Sequence, residues 1–181
     1  MQCPGFDFDA FWRHSIATAL TARTLAQRSH LDEDSAFTLG LLHDIGRLVL
    51  VSSYESEYAR AIAYQVEHDC LMHVAERRHF GVDHADVGGV VAEHWHFAPE
   101  IVAAITDHHS PYAVSTRSLT DLLHVADNIA HGLDLSRKED DMVPLLALDA
   151  WTRMALRGSD YVDVFDIVEQ QHESVCAALL A

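Results

Sequence analysis

The chain is short of residues that break helices and of residues that bind polyanions. Its 181 residues include only eight glycines and four prolines. With no internal repeat and no low-complexity linker, nothing marks a division into separate domains. Alternation at period two is nowhere sustained, while apolar residues recur every three and four positions. That excludes a β-rich fold and predicts an all-α one. Twelve basic residues stand against 28 acidic ones, a formal net charge of −16. No Lys/Arg cluster exists of the kind that nucleic-acid backbones and anionic membranes require, so neither a nucleic-acid polymer nor a membrane is expected as partner. Cys3, Cys70 and Cys176 are odd in number, widely spaced and without a CxxC, which points to reduced thiols in a cytoplasmic protein. The opening MQCPGFDFDAFWRH lacks the basic and apolar regions of a signal peptide. No apolar run approaches the ~18 residues of a bilayer span.

What is there is one ordinary globular composition, 49% hydrophobic and 22% charged, long enough to bury a core without disulfides. Periodicity predicts about eight or nine helices. The first runs from about Asp9, as N-cap, to Ser29. The second follows Asp32 and carries AFTLGLLHDIGRLVL, apolar almost all round and therefore central. Residues 54–68 and 71–79 read as peripheral helices. Asp83 caps HADVGGVVAEHW, Pro99 opens PEIVAAITDHH, and Gly132 closes SLTDLLHVADNIAHG. Two last helices fall near 144–156 and 162–180.

The chain holds 14 histidines, and their positions matter more than their number. Most have an ordinary explanation: His30, His68, His73, His79, His131 and His172 lie in polar surroundings, and His94 and His96 flank Trp95. Others fall on apolar faces, where a polar group is costly unless paired or metal-bound. His43 and Asp44 interrupt the central apolar run. His84 heads the stripe Val87, Gly88, Val91, Trp95. His108 and His109 end the stripe Ile101, Val102, Ile105. Asp127 shares a face with Leu123 and Ala130, and His14 precedes the small residues Ala17 and Thr18, which leave room for a neighbouring helix. Imidazole and carboxylate together suit divalent ions such as Fe, Mn or Zn. Seven such side chains exceed one tetrahedral shell and suit two ions, an arrangement that clamps attacking and leaving oxygens in phosphoryl transfer.

The order His14, His43–Asp44, Asp127 resembles the HD superfamily of metal-dependent phosphohydrolases. His84 and His108–His109 match the added ligands of its two-metal members, including the HD-GYP phosphodiesterases. Closer still, FWRHSIATALTARTLAQ, AFTLGLLHDIGRLVL, FGVDHADVGGVVAEHWHFAPEIVAAITDHHSP and LLHVADNIAHG together resemble the HD-related output domain, HDOD. After His109 the chain continues SPYAVSTRS, without the Asp-Gly and Gly-Tyr-Pro stretch of HD-GYP enzymes, and Arg47 stands where those carry Lys. The resemblance implies one HDOD-like domain over residues 1–181, lacking the helical half that family members carry upstream of the His14 block. It implies one or two divalent metal ions (Fe, Mn, Zn, Ni or Mg) held by His14, His43, Asp44, His84, His108, His109 and Asp127. It also implies a bacterial signalling output module, with a signalling protein or a small phosphorylated ligand as partner. The alternative is an active phosphohydrolase on a nucleotide or cyclic dinucleotide. In that reading Asp44 orients the attacking water and Arg47 stabilises charge on the phosphoryl oxygens. The oligomeric state is left open, since no heptad stripe argues for a coiled coil.

Overall fold

A computed structural model of the chain describes residues 3–111, 117–138 and 142–180. The SPYAVSTRS stretch and residues 133–141 fall partly outside them. Among the described residues there are ten α-helices and no strand: α1 (Phe8–Ser29), α2 (Glu33–Leu42), α3 (Ile45–Ser53), α4 (Glu55–His68), α5 (Met72–Phe80), α6 (His84–His94), α7 (Pro99–Asp107), α8 (Leu119–Gly132), α9 (Leu148–Met154) and α10 (Gly158–Leu179). The all-α expectation holds.

The helix starts follow side-chain capping. Asp32 accepts from the Ser35 amide, and Asp83 and Ser118 each form a reciprocal capping box, with Asp86 and Asp121. Asp7, rather than Asp9, caps α1, accepting from the Ala10 amide. Gly132 is the last residue of α8 and Leu133 follows in a right-handed conformation, so the left-handed glycine stop expected there is not used. Trp95, expected on the inward stripe of α6, is 51% exposed just past that helix's end.

The largest departure is at the centre. The segment expected as a single helix through LLHDIGRLVL breaks at His43–Asp44 into α2 and α3. Asp44 is the residue that leaves helical geometry, at φ −95° and ψ 11°. Aspartate tolerates helix ends better than helix interiors. The two halves have different partners: α2 lies mainly against α1, and α3 against α6. Among the described residues, only the stretch Glu33–Ser53 is long and apolar enough to cross a membrane by length and composition. It is this interrupted pair, folded among other helices.

Backbone proximity fixes both halves. A Cβ on Gly40 would lie 2.7 Å from the Ala19 Cα and 2.8 Å from the Thr18 carbonyl, so α2 crosses α1 where the small residues permit it. A Cβ on Gly46 would lie 2.0 Å from the His84 carbonyl, so α3 meets the start of α6 backbone to backbone. Three apolar clusters surround these crossings. One joins α1, α2, α8, α9 and α10, a second α3, α4 and α5, and a third α2, α6, α7 and α8. The polar side chains gather on the helices that these clusters share.

Candidate metal centre

All seven side chains singled out from the sequence come together. His14 (α1), His43 and Asp44 (the α2–α3 break), His84 (head of α6), His108 (just past α7) and Asp127 (α8) are buried. His109 lies beside them, its Nε2 2.8 Å from Nε2 of His84. Two carboxylate oxygens organise the cluster. Asp44 Oδ1 lies 3.4 Å from His43 Nε2, 3.1 Å from His84 Nε2 and 3.8 Å from His108 Nε2. Asp127 Oδ1 lies 3.0 Å from His14 Nε2 and 3.5 Å from each of His43 Nε2 and His131 Nε2. His43 stands between the two.

The hydrogen bonds at the outer ring nitrogens decide what the inner ones present. His43 Nδ1 donates to the Gly40 carbonyl at 2.7 Å, and His108 Nδ1 to the Ile105 carbonyl at 2.7 Å. His84 Nδ1 donates to Glu76 Oε2 at 2.5 Å. Each neutral ring therefore turns an Nε2 lone pair inward, toward carboxylate lone pairs. His43 Nε2, His108 Nε2 and Asp127 Oδ1 are buried without a hydrogen-bond partner. Lone pairs facing lone pairs at 3.4–3.8 Å repel unless a proton or a cation lies between them. Donors about 2.0–2.2 Å from a divalent ion lie roughly 3–3.5 Å from one another. Three groups have the required convergence: His84, His108 and His109; His14, Asp127 and His131; and His14, His43 and Asp44. The donor set thus fits one or more divalent ions.

Without a cation, the same field draws protons. Against a burial that lowers it, Glu76 and Asp44 carry His84 up to about 10. His43 is also raised, since Asp44 and Asp127 outweigh its burial. His108, pushed down by burial and by His43, falls to about 4. Burial opposes ionisation of Asp44, yet His43, His84 and Arg47 hold it well below the usual carboxylate range. Asp127 is likewise held low by His131, His14 and His43. A divalent ion replaces protons in such a centre, so metal affinity and protonation are linked.

Two groups were missed by sequence reasoning. Glu76 is fully buried on α5. Its Oε2 accepts from both the backbone amide and Nδ1 of His84, and its Oε1 accepts from the Tyr58 hydroxyl at 2.8 Å. It therefore satisfies a free amide at the head of α6 and fixes the His84 ring. Among polar neighbours such a residue reads as surface; MHVAERRHF offers no signal that its glutamate turns inward. His131 was set aside for its polar neighbours, although its spacing of four from Asp127 was a usable signal. Conversely, His172 and His124 are buried structural residues: His172 donates to the Arg13 carbonyl, and His124 to the His108 carbonyl.

Arg47 belongs to the same network. Its Nη1 donates to Asp44 Oδ2 at 3.1 Å and its Nε to the Tyr58 hydroxyl at 3.3 Å, over the rings of Phe6 and Phe11. Asp44, Arg47, Tyr58, Glu76 and His84 thus form a closed ring of polar contacts. A cleft lined by His14, Asp44, Arg47, His84, His109, Asp127 and His131 gives solvent access to the cluster.

The HDOD domain family model matches residues 2–111, a span that includes six of the seven expected ligands. The chain belongs to the HDOD domain family. Among solved structures, it is 25% identical to a candidate phosphohydrolase of Shewanella amazonensis SB2B, covering 95% of this chain and 63% of that one, with a TM-score of 0.70. It is 25% identical to the MmoQ response regulator of Methylococcus capsulatus, covering 90% and 62%, with a TM-score of 0.64. Among curated proteins, Ribonuclease Y of Clostridium perfringens is 29% identical over 127 residues, 70% of this chain and 19% of that protein. The chain spans about a fifth of the length of the curated relatives it matches.

Proposed function

We propose that this HDOD domain is a bacterial signalling output module, working in the cytoplasm, whose fold is tied to one or two divalent ions. The observation that carries the metal reading is the set of inward Nε2 lone pairs on His43 and His108, fixed by Nδ1 bonds to carbonyls and facing Asp44 and Asp127. His14, His43, Asp44, His84, His108, His109 and Asp127 would hold the ions. Three buried carboxylates, Asp44, Asp127 and Glu76, face one guanidinium, Arg47, and this negative excess favours cations. Because five segments contribute ligands, ion binding would tie α1, α2–α3, α6, α7 and α8 together. A change at the cleft would then be felt across the fold, which suits a module that passes a signal to a partner protein. The MmoQ response regulator relative supports this reading.

The open cleft favours a second reading, hydrolysis of a small phosphate ester. Divalent ions would supply Lewis acidity and activate water there. Asp44 would orient the water, while Arg47, with its Nε proton and one Nη1 proton given to Tyr58 and Asp44, would reach a phosphoryl oxygen through its remaining N–H groups. Assays of metal-loaded protein on generic phosphoesters and cyclic dinucleotides separate the two. Metal binding without turnover is expected from the output module. Turnover that disappears in Asp44→Ala and persists in His30→Ala would establish the enzyme instead.

A further inference from the structure

We infer that His131 is a metal ligand, closing the ion position at the Asp127 end of the centre. This rests on the reading of the cluster as a metal centre and adds to it a residue outside the seven. Asp127 and His131 are four apart on α8, so both project from one face of its last turns. That spacing is the one by which a helix presents two ligands to a single ion. Nε2 of His131 lies 3.5 Å from Asp127 Oδ1. This is longer than an N–H···O hydrogen bond, usually about 2.7–3.2 Å, and matches two donors sharing one ion. His14 completes the group: its Nε2 is 3.0 Å from the same oxygen, and the donor atoms of His14, Asp127 and His131 all lie within 4.8 Å of one another. The His14 and His131 rings lie over each other at 4.2 Å, tilted by 35°, with both Nε2 atoms turned to one carboxylate oxygen.

The two carboxylates then have parallel surroundings. Asp44 Oδ1 has His43, His84 and His108 around it, and Asp127 Oδ1 has His14, His43 and His131. Both ends reach the cleft: His131, its side chain 16% exposed, lines it at the Asp127 end, and His84 and the partly exposed His109 line it at the Asp44 end.

The test is metal binding by the full chain, stripped by chelator, with Zn(II) followed by equilibrium dialysis and Co(II) by its visible absorption. His131→Ala and His131→Gln are compared with wild type and with His94→Ala, a change at an exposed histidine away from the cluster. Wild type and His94→Ala should bind two ions. Both His131 variants should weaken one of the two by about 100-fold, on the scale by which a lost ligand or its partner weakens a site, and should alter the Co(II) spectrum. Their metal-free melting temperatures should stay within ~2 °C of wild type, because the side chain lies at the rim. Two ions bound with unchanged affinity and spectrum in the His131 variants would overturn the inference while leaving the metal centre standing. Wild type that binds no ion would overturn both.

Discussion

Glu76→Gln is the substitution whose consequences the geometry defines most closely. One oxygen of Glu76 accepts two bonds from His84, at 2.8 Å and 2.5 Å, and the other accepts the Tyr58 hydroxyl at 2.8 Å. Glutamine keeps a single acceptor oxygen. Turned toward Tyr58, it sets an NH2 against two buried His84 donors, each costing about 1–3 kcal/mol unpaired. Turned toward His84, it keeps those bonds but sets the NH2 against a hydroxyl that already accepts from Arg47 Nε. The second arrangement is cheaper. His84 then keeps its orientation loosely and loses a charged partner, a difference of about 1 kcal/mol per bond. Partners of metal-bound histidines are typically worth about 10–100-fold in metal affinity, or roughly 1.4–2.8 kcal/mol. Zn(II) titration against a competing chelator should show a loss in that range for Glu76→Gln and a larger one for His84→Ala. Affinity of Glu76→Gln within about threefold of wild type, with His84→Ala impaired, would refute the orienting role.

Other consequences are open to simple measurements. Gly46→Ala puts a Cβ 2.0 Å from the His84 carbonyl, a backbone atom that cannot swing aside. Overpacking of this kind costs about 3 kcal/mol, roughly 6–12 °C of melting temperature at this size, so a melt within ~1 °C of wild type would contradict the crossing geometry. Asp121 is fully buried and is paired with Nε and Nη2 of Arg153, which tie α9 to α8. Arg153→Met should cost about 3 kcal/mol in chemical denaturation by stranding that carboxylate. The metal-free protein should be most stable near pH 6.5. His108 folds with a value of about 4, below the 6.5 of an unperturbed histidine, so its contribution is complete above 6.5 and is lost as pH falls toward 4. His84 folds with a value of about 10, so its contribution is complete below 6.5 and is lost as pH rises toward 10. Thermal melts across that range would contradict the assignment if stability rose steadily from pH 5 to pH 9.

Most of this arrangement was legible because burial and polarity conflict locally. Asp127 among Leu122, Leu123, Ala126 and Ala130, and His43–Asp44 within an apolar run, announced themselves by the cost of placing them there. The capping residues Asp32 and Asp83 marked their helices directly. Two features were hidden for opposite reasons. The break at Asp44 was masked by continuous hydrophobicity, because α2 and α3 bury their surfaces against different helices and neither needs a polar boundary. Glu76 was masked by the polar MHVAERRHF around it, because its burial depends on Tyr58 and His84, 18 and eight residues away. His131 sits between these cases, polar in its neighbours yet in step with Asp127.

The central claim is that buried imidazole and carboxylate lone pairs converge on divalent ions. It is tested most directly by elemental analysis of anaerobically purified protein, with Asp127→Asn and His43→Ala measured alongside and each melted with and without added Mn(II), Fe(II) or Zn(II). Wild type should carry at least one divalent ion per chain and lose several degrees of melting temperature when stripped, recovering on reloading. The two variants should hold less metal and recover less. A wild-type protein that is free of metal, gains no stability from any of these ions and is unaffected in stability by His43→Ala would contradict the account.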